Sequence, residues 1–411
     1  MARRCSTICL PFDQQRYGHQ VADPGAFRQA LDGFFREMPE LFPDGFAQGY
    51  RLKDRRPSRK LGLPLRRLLL KATGETFTVR PSFALPYMAG WAADASGPLF
   101  LRAFGVPFWA LAVVFGRDHG YWYRVEVALG RNSVAGATLR RAGVPAHLLA
   151  DEHHQPRDGV KNYIATTVGA GCCLGAALAQ TAGAEDLQGA YGVFKAEAQD
   201  AQPGYAPQTV SADGWAATHQ AWQALFPLVV LLRCFLHGWL AIRSRGKLSD
   251  GFHALSERVW HAYRAASRRS FAQRMRRLWE WAQANVSAAW VLEQVGKLYG
   301  RAGEYGAAYA HPGGHRTSNA LDRVMRSMCR YFDDGQHLHR SAGSCGLRVR
   351  AWALLHNYRP WHPASARANG GWRSPAERLN RHRYHDGWLQ NLLASASLGG
   401  YRRRMAPPHN P

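Results

Sequence analysis

Ser211-Ala-Asp-Gly-Trp215 is the stretch on which the interpretation of the whole chain depends. Residues 206–210 before it have the extended, β-branched character of a strand, and residues 216–225 after it have the spacing of an amphipathic helix. An aspartate at such a strand end is held on a rigid element with its carboxylate facing outward, as a metal ligand requires. It is also a common helix N-cap, so Asp213 gains significance only from acidic residues at matching places elsewhere.

The composition indicates a folded and strongly basic protein. Hydrophobic residues make up 46% of the 411 positions and 14 residues are Trp, which is not the composition of a disordered chain. The 53 Lys and Arg against 29 Asp and Glu give a net charge of +24, and Arg suits bidentate contacts with phosphate. We therefore expect double-stranded DNA as a partner, although a generally basic surface would have the same composition.

Cysteine usage and hydropathy exclude two other classes of protein. Seven scattered cysteines without a Cys-x-x-Cys pair predict neither a disulfide framework nor a zinc knuckle. The most apolar run, residues 226–242, contains Arg233 and His237 and is shorter than the roughly 20 residues that a membrane helix needs. The apolar run at the N-terminus is too short for a signal peptide. We expect a soluble, cytoplasmic protein with no membrane partner.

The first 143 residues divide into two regions. Residues 1–95 are expected to be mainly helical, and their basic cluster at 51–71 is either a solvated face or a DNA-backbone contact. Residues 96–143 contain helical patterns separated by a Gly-containing turn, which is typical of a helix-turn-helix and of any helical hairpin. The arginines that its second helix would present to DNA are Arg131, Arg140 and Arg141.

Between residues 144 and 239 the hydrophobic period becomes that of an α/β domain. The order β-β-β-α-β-α-β, with three antiparallel strands followed by two parallel ones, is typical of a mixed five-stranded RNase H-like core. Strands are predicted at 146–151, 160–168, 172–179, 206–213 and 228–235, and helices at 184–201 and 215–226.

The remaining chain is predicted to be mostly helical. Residues 240–312 would form an all-α, Arg-rich insertion that interrupts the core after strand five, and residues 313–360 would supply the final helices of the core. Residues 361–411 would be a basic, loop-rich tail with one short helix at 385–395. The candidate DNA-binding residues of the insertion are Arg268, Arg269, Arg276 and Arg277.

Three aspartates lie where an RNase H-like core places its acids. Asp151 is on strand one, Asp213 is at the end of strand four, and Asp322 is on a helix after strand five. Carboxylates from separate elements can bracket two Mg²⁺ ions, which activate an attacking oxygen and stabilise a leaving 3′ oxygen. Glu304 is a rival third acid, but it lies in a Gly-rich segment that we expect to be a poorly rigid loop.

Residues 149–152, 209–215 and 316–323 resemble the three acidic motifs of DDE/D transposases, and the closest group is the Mutator-like superfamily, which includes many bacterial insertion-sequence transposases. Residues 232–237 resemble the Cys-x2-His signature that follows the second acid of that superfamily. Two short segments, residues 340–341 and 353–357, resemble the part of its sequence after the third acid, so the resemblance covers about residues 145–360.

The resemblance implies a transposase that binds terminal inverted repeats and catalyses DNA cleavage and strand transfer. Its metal ligands would be Asp151, Asp213 and Asp322, with Mg²⁺ (or Mn²⁺ in its place), and it would act as a homo-oligomer on DNA at the bacterial nucleoid. The sequence departs from the family pattern at Asp322, where Glu is usual. An RNase H-like nuclease without strand joining and an inactive DNA-binding derivative remain alternatives.

Other residues of the motifs have supporting roles in this interpretation. Cys234 and His237 are too few for a closed zinc site, so we expect them to orient the second acid or to pack. Glu152 would point to the opposite face of its strand from Asp151 and support the site or pair with a basic residue.

The last candidates near the site are two histidines, a glycine, a tryptophan and an asparagine. A general base could come from His153 or His154. Trp215 either packs in the core or stacks on an unpaired DNA base. Gly214 and Asn319 complete the motifs.

Overall fold

The computed structural model describes residues 5–246, 251–334, 338–339 and 341–402. Helices predominate, and the strands form two separate mixed sheets, so the α/β class is confirmed. None of the described helices is long and apolar enough to cross a lipid bilayer.

The N-terminal region contains a four-stranded sheet, so the prediction of a mainly helical region is wrong. The sheet order is β1-β4-β3-β2, with β1 parallel to β4 and the other pairs antiparallel. Two helices and two short 3-10 turns (Pro39–Leu41 and Phe46–Gln48) pack with it around an aromatic core. The elements are β1 Thr7–Leu10, α1 Gln14–Ala22, α2 Pro24–Glu37, β2 Tyr50–Ser58, β3 Leu63–Leu70 and β4 Thr76–Pro81.

The basic cluster at 51–71 is the β2–β3 hairpin of this sheet. The alternation of buried and exposed residues in β3 is hard to recognise in the sequence, because an arginine occupies one of the buried positions. Arg66 is only 8% exposed, and its guanidinium donates hydrogen bonds to the carbonyl oxygens of Val21 (2.7 Å) and Ala22 (2.9 Å) at the end of α1. A buried arginine satisfied by carbonyl groups behaves as part of the core, although its charge suggests a solvated face.

The next helices do not fit a helix-turn-helix. The second helix of the predicted motif, α6, has only five residues, and all five are buried. Its surroundings include the C-terminal segment, since Ser133 N donates to Gly399 O over 2.8 Å. A buried five-residue helix cannot enter a DNA groove. The helices are α3 Ala92–Arg102, α4 Phe108–Phe115, α5 His119–Leu129 and α6 Val134–Thr138.

The second sheet has five strands in the order β7-β6-β5-β8-β9. β5, β6 and β7 are antiparallel neighbours, whereas β8 is parallel to both β5 and β9. The first strand is longer than predicted, so Asp151 lies within it and not at its end. The elements are β5 His147–Arg157, β6 Val160–Gly169, β7 Cys172–Ala179, α7 Ala184–Ala201, β8 Thr209–Ala212, α8 Ala216–Leu225 and β9 Val230–Arg233.

Helices cover both faces of this sheet. Leu148 and Ala150 of β5 belong to a core shared with α7 and α8, whereas Leu149 belongs to a core shared with later helices of the chain. This alternation decides where the acidic residues further along β5 point, because successive side chains of a strand face opposite sides.

Within the described residues after β9, five helices share a core of their own. The core of this helical block contains Phe235, Val259, Phe271, Met275 and Val291. The first helix begins at Phe235, earlier than the predicted start at 240, and a 3-10 turn spans Ala307–Ala310. The helices are α9 Phe235–Gly246, α10 Phe252–Tyr263, α11 Arg268–Asn285, α12 Ala289–Gly300 and α13 Ala302–Gly306.

The C-terminal part returns to the sheet and then to the N-terminal region. The predicted loop-rich tail is wrong as far as residue 402, because its last helix and the 3-10 turn Ser397–Gly400 are buried. Residues 403–411 of the predicted tail lie outside the described residues. The helices are α14 Asn319–Asp333, α15 Ala342–Tyr358, α16 Pro363–Ala368, α17 Pro375–Asn380 and α18 Trp388–Ser395.

Candidate metal and catalytic site

The first two aspartates follow paired positions of two parallel strands. Leu149 of β5 is the partner of Ser211 of β8, and Asp151 and Asp213 each come two residues later. The two carboxylates therefore lie side by side at the edge where β8 ends. Asp151 points to the same face as Leu149, which is the face covered by α14 and α15.

Asp213 is held in a turn between β8 and α8. Its Oδ1 accepts a hydrogen bond from Trp215 N over 2.8 Å. The intervening Gly214 has a φ of +96°, and a Cβ there would lie 2.0 Å from Nη1 of Arg233. Glycine is therefore required both for the backbone conformation and for the close approach of this guanidinium.

Asp322 lies in the first turn of α14 and is tied to β8 by a series of hydrogen bonds. Ser318 Oγ donates to Asp322 Oδ2 over 3.1 Å, and Ser318 N donates to the sulfur of Cys234 over 3.2 Å. Cys234 N in turn donates to Ala212 O over 2.8 Å, directly before Asp213. The series connects the second and third aspartates through the residue that begins the Cys-x2-His segment.

His237 completes this arrangement as a partner of the Cys234 thiol. A hydrogen bond with Cys234, together with the negative charges of Asp151 and Asp213, raises the pKa of His237 to about 9 against the effect of burial. Although burial opposes it, hydrogen bonding to His237 and Ser318 lowers the pKa of Cys234. Cys234 therefore interacts both with His237 and with Ser318, and the orienting role of this pair stays a prediction.

The pKa of Asp151 is raised mainly by burial and further by the other two aspartates. Burial and the charges of Asp213 and Asp322 raise the pKa of Asp151 to about 6, although a 2.9 Å hydrogen bond from Glu152 N to its Oδ1 opposes the change. The negative charges of Asp213 and Asp322 thus act on the Asp151 carboxyl, as expected of acids grouped at one site.

Glu152 faces the other side of the sheet. Its Oε1 accepts hydrogen bonds from Tyr191 of α7 (2.6 Å) and Thr218 of α8 (2.8 Å), so its partners are hydroxyl groups and not a basic residue. Burial, together with the charges of Asp151 and Asp213, raises the pKa of Glu152 to about 7. Glu152 therefore fixes β5 against the helices rather than joining the carboxylates on the other face.

The rival acid Glu304 is engaged elsewhere. It lies on the short helix α13, is half exposed, and pairs with Arg233 over 2.5 Å between Oε2 and Nε. Of the two histidines, His153 lies 3.0 Å from Gln155 Oε1 through Nε2, and His154 is exposed.

The aromatic and amide candidates have mixed surroundings. Trp215 is partly buried, with its ring 6.0 Å from that of Tyr163, and it packs on the core beneath α7 and α8. Trp222 is fully buried in the same core. Asn319 is exposed as the first residue of α14.

The seven candidate DNA-binding arginines differ in accessibility. Arg140 is 4% exposed and donates to the carbonyl oxygens of Ser395 (2.6 Å) and Ser397, so it is a structural residue rather than a DNA contact. Arg141 is exposed but pairs with Glu40 over 2.5 Å. The exposed remainder are Arg131 near α6 and Arg268, Arg269, Arg276 and Arg277 on α11.

Two residues beside the aspartates were not predicted from the sequence. Ser318 stands four residues before Asp322, the spacing at which a hydroxyl reaches an acid in the first turn of a helix, and this signal was available. Arg233 ends β9, and the carboxyl ends of adjacent parallel strands meet at one edge. Its position beside Asp213 could therefore have been inferred from the strand order.

The carboxylates have the donor chemistry of a Mg²⁺ site but do not share one ion position. Within the part of the chain that the structure describes, no three His, Cys, Asp or Glu side chains converge on a single metal position. Two-ion sites place their metals about 3.5–4 Å apart and bracket them with carboxylates, so their ligands need not converge on one point.

Comparison with known proteins adds no identification: no protein-family model matches the sequence, and no curated protein matches it.

Proposed function

We propose that the protein is a DDE/D transposase that cuts the ends of a mobile DNA element and joins them to target DNA. Asp151, Asp213 and Asp322 would be its catalytic metal ligands. The observation that carries the proposal is geometric: Asp151 and Asp213 follow paired positions of β5 and β8, and hydrogen bonds of Ser318 connect Asp322 to the residue after β9.

The second sheet supports the proposal. An RNase H-like core requires three antiparallel strands, then two strands parallel to the first, in the order 3-2-1-4-5. The order β7-β6-β5-β8-β9 and its strand directions agree with this requirement. The helical block after β9 and the return to the sheet at α14 agree with an insertion between the second and third acids.

The donor set fits divalent magnesium. Each aspartate uses one oxygen to accept a local hydrogen bond, from Glu152 N, Trp215 N or Ser318 Oγ. No hydrogen bond from another described residue reaches the remaining oxygens of these carboxylates, and hard oxygen ligands suit Mg²⁺. When bound, Mg²⁺ would activate the attacking oxygen and stabilise the leaving 3′ oxygen.

The chain's own residues position the carboxylates and the DNA. The Ser318 hydroxyl sets the orientation of Asp322, whose side chain is one methylene shorter than the usual Glu. The exposed arginines of α11 provide positive charge for the DNA backbone, in a chain with a net charge of +24. Joining two element ends requires both to be held at once, so we propose that at least two copies assemble on DNA.

The test is Mg²⁺-dependent cleavage and strand transfer with duplexes taken from the DNA that flanks the gene. Wild type should cut and join these ends, and Asp213→Ala should do neither while still binding them. Asp44→Ala is a matched control, because Asp44 is an exposed aspartate of the N-terminal region.

Three other outcomes would contradict the proposal. Cleavage without joined product would indicate an RNase H-like nuclease. End binding without cleavage by the wild type would indicate a DNA-binding derivative. Equal activity of the wild type and Asp213→Ala would show that the aspartates are not the catalytic ligands.

A further inference from the structure

A cavity of about 150 Å³ lies next to Asp213, between the edge of the second sheet and the helical block. Asp213 forms one side of it. The cationic side consists of Arg233 from the end of β9, Lys297 of α12 and Arg301 between α12 and α13. We call this cavity the basic pocket. Small-molecule sites usually exceed about 300 Å³, so its volume suits a single anionic group better than a whole nucleotide or cofactor.

Two glycines keep the basic pocket open. A Cβ at Gly214 would overlap the guanidinium of Arg233, at 2.0 Å from Nη1. A Cβ at Gly238 on α9 would lie 2.8 Å from the hydroxyl of Tyr305, another lining residue. The absence of side chains at these positions allows polar groups from β9 and α13 to line the same cavity.

The cations of the basic pocket have charge available for a ligand. Lys297 pairs with Glu293 one turn earlier over 2.6 Å, but both side chains are more than half exposed, and such pairs contribute little stability. Arg301 is exposed and forms no ion pair with another described residue. Arg233 pairs with Glu304. The charge of Arg301 therefore leaves this side of the pocket with a net positive charge.

We propose that the basic pocket binds a backbone phosphate of DNA, the one next to the scissile phosphate in the same strand. The choice of a phosphodiester rests on the proposed function, and the position follows from Asp213, which contributes both to the candidate metal site and to the pocket wall. Arg and Lys are the side chains that neutralise phosphate oxygens. The helical block would thus position the strand for the carboxylates as well as carry basic charge.

The experiment measures binding, without metal, of end duplexes in which one phosphate at a time is replaced by a neutral methylphosphonate. In the wild type, substitution of the phosphate that lies in the basic pocket should weaken binding about tenfold. In the double variant Lys297→Gln/Arg301→Gln the same substitution should have almost no further effect. The attraction between these two cations and the phosphate is already lost in that variant.

The control is Arg16→Gln, which removes one charge from an exposed residue of α1. It should keep the position-specific sensitivity of the wild type. The inference is overturned if the double variant keeps that sensitivity, or if every phosphate position has the same effect. Metal-dependent cleavage without this coupling would refute only the pocket, and coupling without cleavage would refute only the transposase proposal.

Discussion

The backbone nitrogen of Ser318 donates a hydrogen bond to the sulfur of Cys234 over 3.2 Å, across 84 positions of the chain. This contact joins the end of β9 to the start of α14. Cys234, which directly follows β9, therefore helps to position Asp322. The contact therefore makes Ser318 a suitable residue for testing how the site is oriented.

We expect Ser318→Ala to reduce strand-transfer activity about 10- to 100-fold, the usual cost of removing a group that orients a metal ligand. The cause is the loss of the 3.1 Å hydrogen bond to Asp322. Titration of activity with Mg²⁺ should show a weaker apparent affinity for the metal. Ser244→Ala, which removes an exposed hydroxyl from α9, should retain full activity. Equal activity of Ser318→Ala and the wild type would refute the orienting role.

The identity of the third acid can be decided by a pair of substitutions. Asp322→Asn should abolish cleavage, whereas Glu304→Gln should leave at least about half of the activity, because Glu304 is paired with Arg233. Asp322→Glu introduces the residue that is usual in the family that this sequence resembles, and this variant should remain active. Loss of cleavage in Glu304→Gln, with activity retained in Asp322→Asn, would reverse the assignment. Single-turnover cleavage rates would provide the measurement.

Asp151 should lower stability at neutral pH. Folding raises its pKa from 3.8 to about 6, so the folded state binds more protons than the unfolded chain between these values. The free energy of unfolding therefore decreases as pH rises through this window and remains lower above it. Asp151→Asn should raise the free energy of unfolding at pH 7.5 by about 3 kcal/mol and should remove activity. Denaturant unfolding at pH 4 and 7.5 would measure the difference, which should nearly vanish at pH 4.

Magnesium provides the control for this prediction. Mg²⁺ should stabilise the wild type and reduce the advantage of Asp151→Asn, because a ligand that binds only the folded state stabilises it. Glu152→Gln should also gain stability at pH 7.5, since the pKa of Glu152 is raised to about 7, but it should keep the stabilisation by Mg²⁺. An unchanged wild-type melting temperature at saturating Mg²⁺ would contradict metal binding at Asp151.

Arg140 should contribute to stability and not to DNA binding. Arg140→Leu leaves the carbonyl oxygens of Ser395 and Ser397 without their donors, which should lower the free energy of unfolding by about 2–4 kcal/mol. Arg131→Leu, at an exposed position near α6, should change it by less than about 0.5 kcal/mol. A DNA affinity that falls with Arg140→Leu while stability is unchanged would restore the helix-turn-helix interpretation.

Regular local patterns made parts of the fold predictable. β7 and α7 coincide with the predicted residues 172–179 and 184–201, because their apolar periods and Gly-rich boundaries are unambiguous. β5 was predicted too short since His153, His154 and Gln155 give its second half a polar appearance. That half pairs with β6 through backbone hydrogen bonds, which do not depend on apolar side chains.

The N-terminal sheet and the C-terminal segment could not be predicted because their partners are distant in sequence. Arg66 looks solvated until its carbonyl partners in α1 are known. Leu398 and Ala394 look like part of a tail, yet they belong to the N-terminal core. The candidate acids could be proposed from their order along the chain without tertiary information, and their catalytic roles stay a prediction. Arg233, Lys297 and Arg301 required the structure, since only folding brings them to one cavity.

The contact between the two ends of the described chain has a consequence for synthesis. Cys9 N donates to Ser397 Oγ over 3.0 Å, and Ser397 Oγ donates to Leu41 O over 2.7 Å. During synthesis, β1 therefore lacks part of its core until residues around Ser397 have been added. A nascent chain that stops early would expose apolar surface at β1 and become a substrate for chaperones and proteases. The synthesis of residues 394–398 thus determines when the N-terminal sheet becomes stable.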